Sequence, residues 1–176
     1  MITINFNDFD DAIYVLKYES DWECYLDKQT GTIEFLDVRE DEDVVDETDA
    51  SYAKYIVNRD PVEKVAGANL EEDERERLLD LLDNEPQRFL KIEILNPRDG
   101  FQQMKDFVGT LPRSQAKTQL DFVLQQKKPF RRFRDTLSKF AKEKGLWQEF
   151  EKTQNYKYLH QFLKTQAIEA EVVGYE

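Results

Sequence analysis

Histidine, cysteine and glycine are scarce in this chain, and each scarcity removes a class of chemistry. A single histidine, His160, rules out a multi-histidine metal site. A single cysteine, Cys24, cannot form an intramolecular disulfide, which fits a reducing, cytoplasmic setting. A Cys–His pair could only join these two residues. Cys24 falls in an alternating, strand-like run where a small buried hydrophobe is the ordinary occupant, and His160 lies between Leu159 and Phe162 in a helical pattern. The six glycines are scattered, leaving no phosphate loop and no GxGxxG. Neither GxSxG nor HExxH occurs. No apolar run reaches the roughly 20 residues that span a bilayer. The opening MITINFNDFDDAIY lacks the basic and apolar regions of a signal peptide. No catalytic, cofactor or metal residues are therefore assigned, and no cofactor is expected.

What is abundant is charge and phenylalanine. The chain has 176 residues, 35% of them charged, twelve phenylalanines and a net charge of −12. That length suits one domain, 1–176, whose core needs no disulfide or metal staple. The charge is polarised. Residues 1–88 carry 9 bases and 26 acids (−17), whereas residues 89–176 carry 16 bases and 11 acids (+5). An acidic subregion 1–95 and a basic helical subregion 96–176 are expected. The stretch 37–49 holds eight acids and one arginine. Asp41, Asp43 and Asp46 superficially suggest Ca²⁺ coordination, but the glycine and glutamate of an EF-hand loop are out of place, so a solvated acidic loop is expected.

Periodicity predicts an α+β fold. Asn5 or Asn7 caps a first helix bearing Phe9, Ala12, Ile13 and Leu16. Residues 22–36 read as a β-hairpin whose loop ends in Gly31. Further strands are predicted near 51–57 and 89–95, the latter with Leu90, Ile92 and Ile94 on one face. Between them lies an acidic helix ending near Asn84. About four helices follow. Asn96-Pro97 starts the first, Ser114 caps the second, Pro129 opens a third that ends at Gly145, and a last one carries Tyr156, Leu159, Phe162 and Leu163. The expected architecture is a small antiparallel sheet with this C-terminal helical cluster.

The sharpest local feature is QQKKPFRRFRDTLSKFAKEKG, residues 125–145. On one continuous helix Phe130, Phe133, Leu137, Phe140 and Ala141 share an arc, the expected buried stripe. Lys127, Lys128, Arg131, Arg132, Arg134, Lys139 and Lys142 then form a candidate face for phosphate or an acidic partner. The alternative is that these bases neutralise the chain's own acidic half or are simply solvated.

Four segments carry a resemblance: WECYLDKQTGTIEFL, GFQQMKDFV, KKPFRRFRDTL and LWQEFEKTQNYKYLHQFL. In their order the chain resembles the bacterial uncharacterised protein family 0158. It departs from that pattern in the acidic loop 37–49 and in region 59–86. The resemblance implies a small bacterial cytoplasmic protein with a signature that includes Phe130, Arg131, Arg132, Phe133 and Trp147; on physical grounds its aromatics, Phe130, Phe133 and Trp147, are expected to be core anchors. It transfers no catalytic residue, because the family has no known function. Three functions stay open. A non-enzymatic protein-interaction or adaptor module ranks first, and RNA or ribosome association through 127–144 second. An atypical carboxylate or metal-dependent enzyme is third. An unidentified protein partner is thus expected ahead of RNA, with DNA disfavoured and no membrane.

Overall fold

A computed structural model describes residues 1–19, 21–38 and 68–176. The strand expected at 51–57, most of the acidic stretch 37–49 and the trio Asp41, Asp43 and Asp46 lie outside the described residues. The architecture is α+β, with a three-stranded antiparallel sheet, a two-stranded parallel sheet and, among the described residues, six helices. Two compact units divide the chain, one formed by 1–93 with 168–176 and the other by 94–167.

The first unit begins with β1 (Ile2–Asn5) and α1 (Phe6–Tyr18). Asn5 is the cap, its side chain accepting a hydrogen bond from the Asn7 amide at 3.0 Å. Helix α1 buries Phe6, Phe9, Ala12, Ile13 and Val15, while Leu16 is only half-buried. The hairpin follows as β2 (Trp22–Asp27) and β3 (Ile33–Asp37), paired antiparallel with Cys24 opposite Phe35. Its turn depends on Asp27, whose carboxylate accepts from the Gln29 amide at 2.8 Å, and on Gly31 at φ +83°. A methyl group on Gly31 would lie 2.1 Å from the Thr3 carbonyl oxygen, so only glycine permits this approach of β1.

Helix α2 (Ala68–Asn84) leads to β4 (Phe89–Ile92), which pairs antiparallel with β2, giving the order β3-β2-β4. Strand β4 stops at Ile92, and Ile94, expected on its inner face, is exposed. Alternation places Leu36 and Phe89 on the sheet face opposite Cys24, Leu26 and Ile92. Leu36 and Phe89 pack with Leu78 of α2, flanked by Tyr25, Leu81 and Leu82. A fifth strand, β5 (Ala170–Val173), pairs in parallel with β1, Ile2 opposite Ala170. Tyr175 then sets its ring against Phe6, centroids 5.1 Å apart.

The second unit is helical: α3 (Pro97–Thr110), α4 (Gln115–Leu124), α5 (Pro129–Leu137) and α6 (Ala141–Thr165). Asn96 caps α3 by accepting from the Asp99 amide at 3.0 Å, with Pro97 in the first turn, where a missing N–H costs nothing. Ser114 caps α4 through the Lys117 amide at 3.1 Å. One nine-residue cluster forms the core of this unit, drawing on α3, α4, α5 and Trp147 of α6. At its centre the rings of Phe107, Phe133 and Trp147 meet edge to face, with Trp147 centred 5.1 Å from Phe107 and 5.0 Å from Phe133.

The helix expected from Pro129 to Gly145 is two helices. Helix α5 ends at Leu137, where the Ser138 hydroxyl donates to the Asp135 carbonyl. The amides of Lys139 and Phe140 then bond three residues back, tightening the turn and breaking the helical phase. Gly145 is consequently an interior residue of α6 and not a terminator. The phase change also redraws the buried stripe. Phe133, Thr136 and Leu137 are buried, Phe140 is half-buried and Ala141 is exposed.

Candidate functional site

Helix α5 has two sides of opposite character. Phe133 and Leu137 lock one side into the core of the second unit. Lys127, Lys128, Arg131, Arg132, Arg134, Lys139 and Lys142 are all exposed. The 94–167 unit holds fifteen Lys and Arg against seven Asp and Glu, a net +8, while the other unit carries ten against thirty, −20. Arg131 stands 3.9 Å from Asp135, one turn further along α5. Both partners are more than two-thirds exposed, so this pair contributes at most about 1 kcal/mol and holds neither side chain tightly.

Two further features shape this surface. Lys128, immediately before Pro129, adopts the left-handed conformation at φ 54°, ψ 54°. Proline disfavours the helical region for its predecessor, and a residue with a side chain reaches the left-handed region only when its surroundings impose it. Phe130 is the second feature. Expected among the core anchors with Phe133 and Trp147, it is 42% exposed, against 1% for Phe133. It occupies the first turn of α5 at the edge of the buried side, where the core does not extend. Its ring lies beside Gly100 in the first turn of α3, with Cε1 3.3 Å from where a methyl on that glycine would sit.

The first unit contains a well-connected set of polar side chains. Asp27, almost fully buried, receives the Arg88 Nε at 2.9 Å and an Nη at 2.7 Å, in addition to the Gln29 amide. Burial pushes the Asp27 carboxyl up, but Arg88, the Gln29 amide and Thr30 together hold it below the ordinary carboxylate range. Arg88 also reaches Glu85 at 3.3 Å. On the same sheet face Glu23 accepts from Lys91 Nζ at 2.7 Å and from the Tyr25 hydroxyl. Lys91 and Tyr25 lower the Glu23 carboxyl, and burial with Glu23 beside it raises the Tyr25 hydroxyl. These carboxylates already accept bonds on both oxygens, an arrangement suited to holding strands together and poorly suited to taking a proton from a substrate.

Cys24 is fully buried in β2, closed to any solvent-borne substrate. His160 is exposed on α6, its ring edge to face with that of Tyr156, centroids 4.5 Å apart. Among the described residues no cluster of His, Cys, Asp and Glu is arranged to hold a metal ion. No described helix is long and apolar enough to cross a membrane. A cleft of about 490 Å³ in the second unit is lined by Phe107, Leu111, Pro112, Leu146 and Phe150, with Glu149 its single ionisable group.

The sequence profile of Uncharacterised protein family (UPF0158) matches residues 63–173, more than half of the chain. The chain belongs to that family. The matched span contains all of α5 and residues 63–86, where the sequence had shown no resemblance, and excludes the hairpin 22–36. No curated protein and no solved structure matches the chain.

Proposed function

We propose that this member of Uncharacterised protein family (UPF0158) is a non-enzymatic binding module that presents the basic face of α5 and its flanks to an anionic macromolecule. One observation carries the reading: Arg131, Arg132 and Arg134 are exposed on α5, whose other side is fixed in a core, and Lys127, Lys128, Lys139 and Lys142 are exposed in the segments that flank it. Anchoring of this kind fixes the backbone from which the cations project, so less backbone order is lost when a partner docks. Arginine supplies most of the helical part, and its fork suits phosphate or carboxylate oxygens better than lysine does. The net charge of −12 does not prevent such docking. At physiological salt, charges farther than about 8 Å from the contact are largely screened.

The test uses a generic polyanion. Wild-type protein should be retained on immobilised heparin at about 0.1 M salt, where the Debye length is about 10 Å. The triple reversal R131E/R132E/R134E should flow through while keeping the wild-type circular dichroism spectrum and melting temperature. Equal elution of the two proteins would sink the reading.

A further inference from the structure

Building on that reading, we propose that the anionic partner is single-stranded RNA and that Phe130 is the platform on which one of its unpaired bases stacks. Phe130 is an apolar ring left 42% exposed within a run of cations. Lys127, Lys128, Arg131 and Arg132 surround it in sequence, and Arg134 stands one helical turn away on the same side of α5. The ring is not adrift. Gly100 admits it against the first turn of α3, where a methyl would already crowd Cε1 at 3.3 Å. Proline at the start of α5 and the left-handed Lys128 fix the backbone from which it projects.

A flat ring held in place among cations matches the alternation of base and phosphate along a single strand, in which bases stack on aromatic side chains and phosphates meet Arg and Lys. An acidic peptide offers carboxylates but no flat face for the ring. A duplex offers phosphates but keeps its bases stacked inside, and extracting one costs a few kcal/mol. Cellular DNA is held mostly as duplex, whereas the loops and ends of RNA expose unstacked bases, so RNA is the source to which the surface is assigned.

The experiment measures fluorescence anisotropy of a labelled twelve-nucleotide RNA of mixed sequence at physiological salt. The same strand in duplex form and its DNA counterpart are measured alongside. Wild-type protein should bind the single strand more tightly than the duplex and at least as tightly as the DNA. F130A should weaken binding about tenfold, the order of one lost stack. F130L, which keeps apolar packing against Gly100 but no flat face, should lose as much. F130W should bind at least as well as wild type. The slope of log K against log salt should be unchanged in F130A and F130L, because no phosphate contact is lost, and shallower in R131E/R132E/R134E. Wild-type affinity in F130L, equal affinity for the duplex, or a preference for DNA would each overturn the assignment. If wild-type protein ignores RNA yet is retained on heparin, the RNA assignment fails and the anionic-face reading stands. If it binds neither, both fail.

Discussion

Adding one methyl group at two different glycines should move stability in opposite directions. In the hairpin turn, Gly31 sits at φ +83° with the Thr3 carbonyl oxygen 2.1 Å from the position a Cβ would take. A left-handed conformation costs an alanine about 1–2 kcal/mol before any contact is considered. Ordinary contact begins near 3.4 Å, so the backbone of β1 would have to retreat by more than 1 Å. The obstruction is backbone and cannot rotate away as a side-chain tip would. Strain of both kinds at a special backbone position puts Gly31→Ala at about 3 kcal/mol or more of destabilisation. At 4–8 °C per kcal/mol for a domain near 100 residues, the first unit should melt about 12 °C lower or worse. Gly145 is the counterpart. It is helical, nothing lies within 4 Å of its added Cβ, and alanine there should stabilise α6 by about 0.5–1 kcal/mol. Thermal melts, with amide hydrogen exchange to assign the loss to β1 and the hairpin turn, separate the two effects. A Gly31→Ala protein within 1 kcal/mol of wild type would refute the close approach of β1 to the turn.

Two further outcomes follow from the cores. Asp27 has a carboxyl held below its ordinary value, so it contributes stability that is fully present above its unfolded pKa of about 3.9 and is lost as pH falls through the lower folded value. Asp27→Asn should therefore flatten the acid limb of the stability profile measured by urea melts between about pH 2 and 5; an unchanged limb would assign acid sensitivity elsewhere. Phe133→Ala empties the centre of the Phe107–Phe133–Trp147 cluster and should cost about 3–5 kcal/mol. The near-ultraviolet signal of Trp147 should diminish with it, and a loss under 1 kcal/mol would contradict the buried placement.

The parts of the fold that the sequence disclosed are those decided within a few residues. The caps at Asn96 and Ser114, Pro97 in the first turn and the loop ending in Gly31 all act locally, and all stand where spacing placed them. The parallel pairing of Ile2 with Ala170 was hidden because it joins two four-residue segments from opposite ends of the sequence. No periodicity announces a partner so distant. The break at 138–140 was hidden for another reason. No proline or glycine marks it, and a serine hydroxyl bonded to Asp135 does what a breaker would. A continuous helix would carry Phe140 and Ala141 on the buried stripe, and the break takes both out of it. The basic residues were identifiable by type. Their joint exposure, and that of Phe130, depends on where the core ends, which only packing decides.

The first unit is interrupted by the second, and this sets an order of events during synthesis. Strand β1 and the turn around Gly31 emerge early, whereas β5 is made only after the whole helical unit. At about 5–20 residues per second, the 164 residues between Asn5 and Ala170 delay β5 by about 8–33 seconds. The helical unit, contiguous in sequence, can meanwhile complete its core on the nascent chain. For that interval one edge of β1 offers unpaired backbone groups to any extended strand nearby. The nascent chain is thus open to strand-exchange errors along β1, and the arrival of β5 closes that window.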